Sequence, residues 1–91
     1  MQVLEAIAIN QAKYNRILLL KNKEGVNELD LRGIKLLGSY FDMGAVEKDY
    51  YLNELVDYFL LDKEGVTEIF KDVPLNLADI SDEDRVLVLV I

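Results

Sequence analysis

The chain has 91 residues, a formal net charge of −7 and no Cys or His. This length suits one domain and is too short for two, so we expect a single globular unit over residues 1–91. Apolar residues make up 52 % of the chain, which excludes a disordered or collagen-like polymer. The missing residue types exclude disulfides, zinc sites built on Cys or His, and every catalytic triad that needs an imidazole.

Charge is distributed unevenly along the chain. Residues 1–41 carry six Lys/Arg and four Asp/Glu, a net of +2, whereas residues 42–91 carry four and thirteen, a net of −9. An acidic field of this size repels phosphate, so we expect no direct binding of nucleic acid or of an anionic membrane. The same field attracts a basic partner protein, although a need for solubility also accounts for an acidic composition.

No secretory signal and no membrane span is predicted. The first five residues lack a basic region, and Glu5 interrupts their apolar stretch. The longest apolar run, Val86–Ile91, has six residues, whereas a membrane helix needs roughly 20. We therefore expect a cytoplasmic chain.

The first half of the chain predicts three strands. Residues 1–9 fit either a strand or a helix, and we favour a strand because residues 10–13 then form a turn before a second strand at Ile17–Leu20. Lys23–Gly25 predicts a hairpin loop. In Val26–Leu31 the apolar and acidic residues alternate, which indicates a third strand.

One long helix is predicted in the second half, beginning between Asp42 and Asp49. Its apolar residues follow helical spacing and form a single stripe that faces the core: Leu52, Leu55, Val56, Phe59 and Leu60. Gly65 is predicted to end this region in a left-handed conformation.

Two further strands complete the predicted fold. They lie at Val66–Phe70 and Arg85–Ile91, with a cap or tight turn at Ser81–Asp84, and the last strand is apolar on both faces, as central strands are. Together the elements predict an α+β fold with a mainly antiparallel sheet of about five strands and one long helix packed on it, in the order β-β-β-α-β-β. The tetrapeptide Lys-Glu-Gly-Val occurs at residues 23–26 and again at 63–66, which we interpret as reuse of a turn sequence.

No motif indicates an enzyme, a cofactor or a metal. Gly33–Ser39 has the two glycines of a phosphate loop but lacks the lysine that reaches the terminal phosphates. Asp79–Asp84 begins like a calcium-binding loop, but Asp84 and Val90 stand where a Gly and a bidentate Glu are required. We expect a non-enzymatic protein that holds no cofactor and no metal.

The outward face of the predicted helix is the candidate partner-binding site. It carries three tyrosines and three carboxylates and no Lys or Arg: Glu47, Tyr50, Tyr51, Glu54, Asp57 and Tyr58. A solvated helix face normally mixes Lys with Glu, and Tyr is enriched at the centres of protein interfaces. The alternative is that a loop or the N-terminal segment covers these rings.

These observations predict an acidic protein-interaction module. Its carboxylates suit a basic surface on a partner protein, and an inhibitor or immunity protein that imitates nucleic acid fits this chemistry. The alternative is a small structural protein that forms a homodimer or another homo-oligomer. In that case the mildly basic first half of one copy pairs with the acidic second half of another.

Overall fold

The computed structural model describes residues 1–41 and 45–91. Two short helices and four strands follow one another in this part of the chain: α1 (Val3–Ile9), β1 (Arg16–Lys21), β2 (Lys35–Tyr40), β3 (Asp57–Asp62), α2 (Lys63–Ile69) and β4 (Arg85–Val90). Single turns of 3-10 helix lie over Leu31–Gly33 and Lys48–Tyr50. The α+β class is as predicted, but the number and length of its elements are not.

The strands form one mixed sheet in the order β2-β1-β4-β3. The two central strands are parallel, with Ile17 beside Leu87 and Leu19 beside Leu89. Each outer strand is antiparallel to its neighbour. The prediction of a mainly antiparallel sheet is therefore correct for the outer pairs and wrong for the central pair, and the described sheet has four strands rather than five.

Two apolar cores cover the two faces of this sheet, because successive side chains of a strand point to opposite faces. The α1-side core consists of Val3, Ala6, Ile7, Ile17, Leu19, Val46, Leu87, Leu89 and Ile91. The α2-side core consists of Leu18, Leu20, Ile34, Val66, Phe70, Ile80, Val86, Val88 and Val90. The central strands are therefore buried on both faces, with one short helix packed against each.

The predicted strands at Ile17–Leu20 and Arg85–Ile91 are confirmed, and so is the central position predicted for the second of them. Ile17–Leu20 lies within β1, and Arg85–Ile91 contains β4. Residues 86–90 have no solvent exposure, which explains why their sequence is apolar without alternation. The predicted turn at Ser81–Asp84 also forms, with the Asp84 N–H donating to the Ser81 carbonyl at 3.1 Å.

The prediction of a strand over residues 1–9 is wrong, because this segment forms α1. Val3, Ala6 and Ile7 are fully buried, and their spacing is that of one helical face. The Glu5 carboxylate accepts the Gln2 N–H at 3.0 Å and so stabilises the first turn. The weak alternation in the sequence concealed this helical spacing.

The predicted long helix is also wrong. The segment that carries its apolar stripe approaches and then forms β3, and Leu52 at the start of the stripe is 70 % exposed. In β3 the ring of Tyr58 packs against the α1-side core, while Phe59 and Leu61 pack against the α2-side core. These apolar side chains pack on both faces of the sheet, and their spacing along the sequence matches that of a helix only by coincidence. Asp42, a predicted start of the helix, lies outside the described residues.

Two predicted strands take other forms. The segment Val26–Leu31 wraps around the buried Asn22, whose side chain donates to the carbonyls of Val26 and Glu28, so it pairs with no strand. Val66–Phe70 lies mostly in α2, which begins where the Asp62 carboxylate accepts the Gly65 N–H at 2.8 Å. Gly65 therefore belongs to the first turn of a helix and does not end one.

Candidate functional site

The six predicted partner-binding residues occupy an irregular segment and the beginning of an edge strand. Glu47 precedes the 3-10 turn over Lys48–Tyr50, and Asp57 opens β3. Because this segment is not a helix, a single helix face does not bring the six together. The packing of the segment against α1 decides their positions instead.

The N-terminus of the chain holds this segment by backbone hydrogen bonds. The N–H groups of Val3 and Leu4 donate to the carbonyls of Asn53 and Tyr51, each at 3.0 Å. The Leu55 N–H returns a bond to the Met1 carbonyl at 2.8 Å. Residues 51–55 are therefore fixed to the first turn of α1, which gives the candidate site a rigid backbone.

All five tyrosines of the chain gather at the α1-side core. Tyr14, Tyr40, Tyr50, Tyr51 and Tyr58 are partly buried and pack against its apolar side chains. The prediction that Tyr51 and Tyr58 point away from the core is wrong, and the alternative, in which the N-terminal segment covers the rings, is partly realised. Each of these tyrosines also keeps partial solvent exposure, so it contributes to folding and retains accessible surface.

The three carboxylates of the candidate site lie around these rings and are exposed. Glu54 pairs with the Met1 amino group at 3.1 Å, and its side chain is 73 % exposed. Asp57 accepts the Tyr58 N–H at 2.8 Å. Burial raises the pKa of Tyr40, and the nearby negative charge of Glu47 raises it further, so this phenol remains a neutral hydrogen-bond donor.

A second acidic region lies at the other end of β3. Asp62, Asp82, Glu83 and Asp84 line an open concavity of about 640 Å³ together with Arg85. Its carboxylates come from two places in the sequence, which the turn before β4 brings together.

The carboxylate of Asp84 holds that turn closed. It accepts the Ser81 N–H at 3.0 Å and the side-chain amide of Asn15 at 2.9 Å, and it lies 3.8 Å from Arg16. The Ser81 backbone hydrogen bond is the main cause that lowers the pKa of Asp84, with Asn15 and the Arg16 charge adding to it against the opposing effect of burial. The turn is therefore a fixed structure at neutral pH.

Arg16, at the start of β1, is a buried cation that the sequence did not reveal. It is 1 % exposed and donates to the carbonyl of Asp79 at 3.0 Å and to the hydroxyl of Ser39 at 2.7 Å. It also pairs with the Asp79 carboxylate at 3.0 Å, and the ring of Phe41 lies 4.3 Å from its guanidinium carbon. Among the described residues its Nε has no hydrogen-bond partner. A single Arg before an apolar strand carries no signal of burial, because its partners are distant in sequence.

The chain matches no protein-family model, no curated protein and no solved structure. In residues 1–41 and 45–91 no group of three or more Asp or Glu side chains is arranged to hold a metal ion. None of the helices described above is long and apolar enough to cross a membrane.

Proposed function

We propose that this chain is a non-enzymatic protein-interaction module that engages a basic surface of a partner protein. The tyrosine–carboxylate face, defined as Glu47, Tyr50, Tyr51, Glu54, Asp57 and Tyr58, forms the contact. The observation that supports the proposal is the combination of exposed carboxylates with half-buried rings on a backbone anchored to α1.

The physical properties of this face suit recognition of a protein. Tyrosine rings that are already packed lose little conformational entropy when a partner covers them, so their edges add contact area at low cost. Leu4, whose N–H donates to the Tyr51 carbonyl, and Leu52, which follows Tyr51, are exposed and add apolar surface to this part of the chain. Carboxylates around such a centre provide a polar rim that selects the partner by charge.

A protein that binds nucleic acid is the partner class that we infer. Its basic surface is built to receive a row of phosphates, and fixed carboxylates present negative charge to the same residues. An inhibitor or immunity protein acts in this way. The net charge of −9 over residues 42–91 adds a long-range attraction that speeds the encounter.

Affinity capture from the native host, followed by a binding titration with the captured protein, tests the proposal. The informative variant is Glu47→Lys with Glu54→Lys, which reverses charge on the face without altering a buried side chain. We expect the association rate to fall several-fold at low salt, and the difference to shrink as the Debye length falls to about 8 Å. An oligonucleotide that binds the partner should compete with the wild-type chain.

The matched control is Glu64→Lys with Glu68→Lys, which makes the same charge change on exposed positions of α2, beyond the opposite face of the sheet. Circular dichroism checks that both double variants fold. If both weaken binding equally, net charge and not this face governs the interaction. If neither weakens it, the tyrosine–carboxylate face is not the contact.

A further inference from the structure

A cleft lined by lysines lies at the end of the sheet where β1 stops. Lys21, Lys23 and Lys35 line a concavity of about 220 Å³ together with Asn22, Glu24 and Gly33. We call it the lysine cleft. Lys21 and Lys35 are directly opposite each other in the β1–β2 register. Like charges at directly opposite positions of an antiparallel strand pair destabilise the pairing. An anion bound between the two lysines would reduce their repulsion.

The scaffold of the lysine cleft is rigid. Asn22 is 4 % exposed, donates to the carbonyls of Val26 and Glu28 and accepts the Asp30 N–H at 2.8 Å, which fixes the turn that carries Lys23. The stem of Lys23 lies against the backbone of Gly33, where a side-chain Cβ would come within 2.8 Å of it. Two of the three lysines extend from paired strands and the third is held by this contact.

The cleft has an excess of positive charge. Among the described residues none of its lysines forms an ion pair within 4.0 Å. Glu24 is the acidic side chain in its lining. The neighbouring carboxylate of Asp30 is bonded to Arg32, at 3.2 Å from its Nε. The cleft can therefore accept further carboxylates.

A turn that carries such carboxylates lies at the opposite end of the parallel strands β1 and β4. Asp82 and Glu83 are exposed in the turn before β4, and the bonds of Asp84 to Ser81 and Asn15 fix its shape. We call residues 81–84 the acidic turn. Asp82 and Glu83 belong to no ion pair within the described part of the chain. Two exposed carboxylates on the rim of the concavity beside β4 complement in charge a cleft lined by three lysines.

The two features cannot meet within one molecule. The acidic turn leads into the start of β4, whereas Lys21 ends β1, and β1 and β4 are parallel. At about 3.3 Å per residue, the five-residue length of the paired strands separates the two ends by about 17 Å. A contact between them therefore requires two copies of the chain.

We propose that the acidic turn of one copy docks in the lysine cleft of a second copy, so that the chain associates head to tail. The contact joins two different surfaces, so a pair of copies still has one free cleft and one free turn, and association continues unless a ring closes. This inference is independent of the tyrosine–carboxylate face, which lies outside both surfaces. The proposed contact pairs a site in the basic first half of one copy with a site in the acidic second half of another.

Sedimentation of the full chain over about 10 µM to about 1 mM protein tests the inference. At low salt we expect the average mass to rise with concentration, and at about 1 M NaCl, where the Debye length is about 3 Å, to stay at that of the monomer. Two variants isolate the two surfaces: Lys21→Glu with Lys35→Glu in the cleft, and Asp82→Lys with Glu83→Lys in the turn. Each variant alone should remain monomeric, because its two surfaces then have the same charge.

An equimolar mixture of the two variants should associate again. The intact turn of the cleft variant fits the intact cleft of the turn variant, and their reversed surfaces are also opposite in charge. Lys48→Glu with Lys71→Glu, which makes the same charge change at positions that line neither surface, should behave like the wild type. A wild-type chain that is monomeric at every concentration, or a mixture that stays monomeric while the wild type associates, would overturn the inference. Binding of a basic partner through the tyrosine–carboxylate face should persist in both variants, whichever result is found.

Discussion

Replacing Arg16 by alanine is expected to lower the unfolding free energy by about 4 kcal/mol, and replacing it by methionine by about 1–2 kcal/mol. Both changes remove the bonds from Arg16 to the Ser39 hydroxyl and to the Asp79 carbonyl. Both also remove the cation–π contact with Phe41 and the unpaired buried Nε. Removing the unpaired Nε offsets part of the lost stability, because an unsatisfied buried donor costs about 1–3 kcal/mol.

The difference between the two variants comes from the aliphatic stem. Methionine fills most of the volume of the Cγ and Cδ methylenes, whereas alanine leaves it empty, at about 0.8 kcal/mol for each methylene plus the cost of the cavity. The two ionic partners contribute less. Asp79 is 63 % exposed, so water solvates its carboxylate once Arg16 is gone, and the more buried Asp84 keeps its hydrogen bonds from Ser81 and Asn15. The larger penalty that follows when a fully buried ion pair is broken therefore does not apply here.

Urea denaturation followed by circular dichroism measures both values. For a domain of this size each kcal/mol shifts the midpoint of thermal unfolding by roughly 4–8 °C, so alanine and methionine are easily distinguished. Lys71→Ala is the control, because Lys71 is exposed and lies 3.9 Å from Glu68, and we expect a change below about 0.5 kcal/mol. If methionine destabilises as much as alanine, the bonds of the guanidinium dominate and the volume argument is wrong.

Three further predictions concern folding. Asp62→Ala should cost about 1 kcal/mol, because it removes the acceptor for the Gly65 N–H at the start of α2, and Asp62→Asn should recover most of it in the same urea titration. Leu89→Ala should cost about 2–5 kcal/mol because Leu89 is fully buried, whereas Leu52→Ala, at a site 70 % exposed, should be nearly neutral; similar values for the two would contradict the observed register of β4. Because the folded pKa of Asp84 is below its ordinary 3.8, its contribution is fully present above that pH and is lost as pH falls through the folded value. Asp84→Asn should therefore flatten the loss of stability below pH 3.8, and an unchanged acid limb in thermal melts would refute the role of Asp84.

The sequence was most informative where burial is complete. The uninterrupted apolar run that contains β4 predicts a central strand, and both of its faces are covered. The apolar run Ile17–Leu20 predicts a strand, and the structure buries it on both faces as well. A segment buried on all sides must be apolar at every position, so its composition alone identifies it.

Segments that are buried on one side only were assigned less well. Residues 1–9 and 52–61 mix apolar and polar side chains, and each pattern fits both a helix and a strand over such a short length. Contacts with distant parts of the chain decide between them: α1 packs on the sheet and bonds to residues 51–55, while β3 pairs with β4. The six residues of the candidate site were predicted as one helix face, and the structure instead distributes them around the tyrosines of the α1-side core.

The repeated Lys-Glu-Gly-Val tetrapeptide shows most directly what the sequence determined and what the tertiary structure decided. Both copies follow a strand, whereas the second was predicted to follow a helix. At residues 23–26 the chain turns with Gly25 at φ 79° around the buried Asn22, whereas at 63–66 the carboxylate of Asp62 caps a helix whose Val66 is buried. Identical local preferences lead to a turn or a helix because the hydrogen bonds of Asn22 in one place, and the burial of Val66 in the other, outweigh the small difference between the two backbone forms.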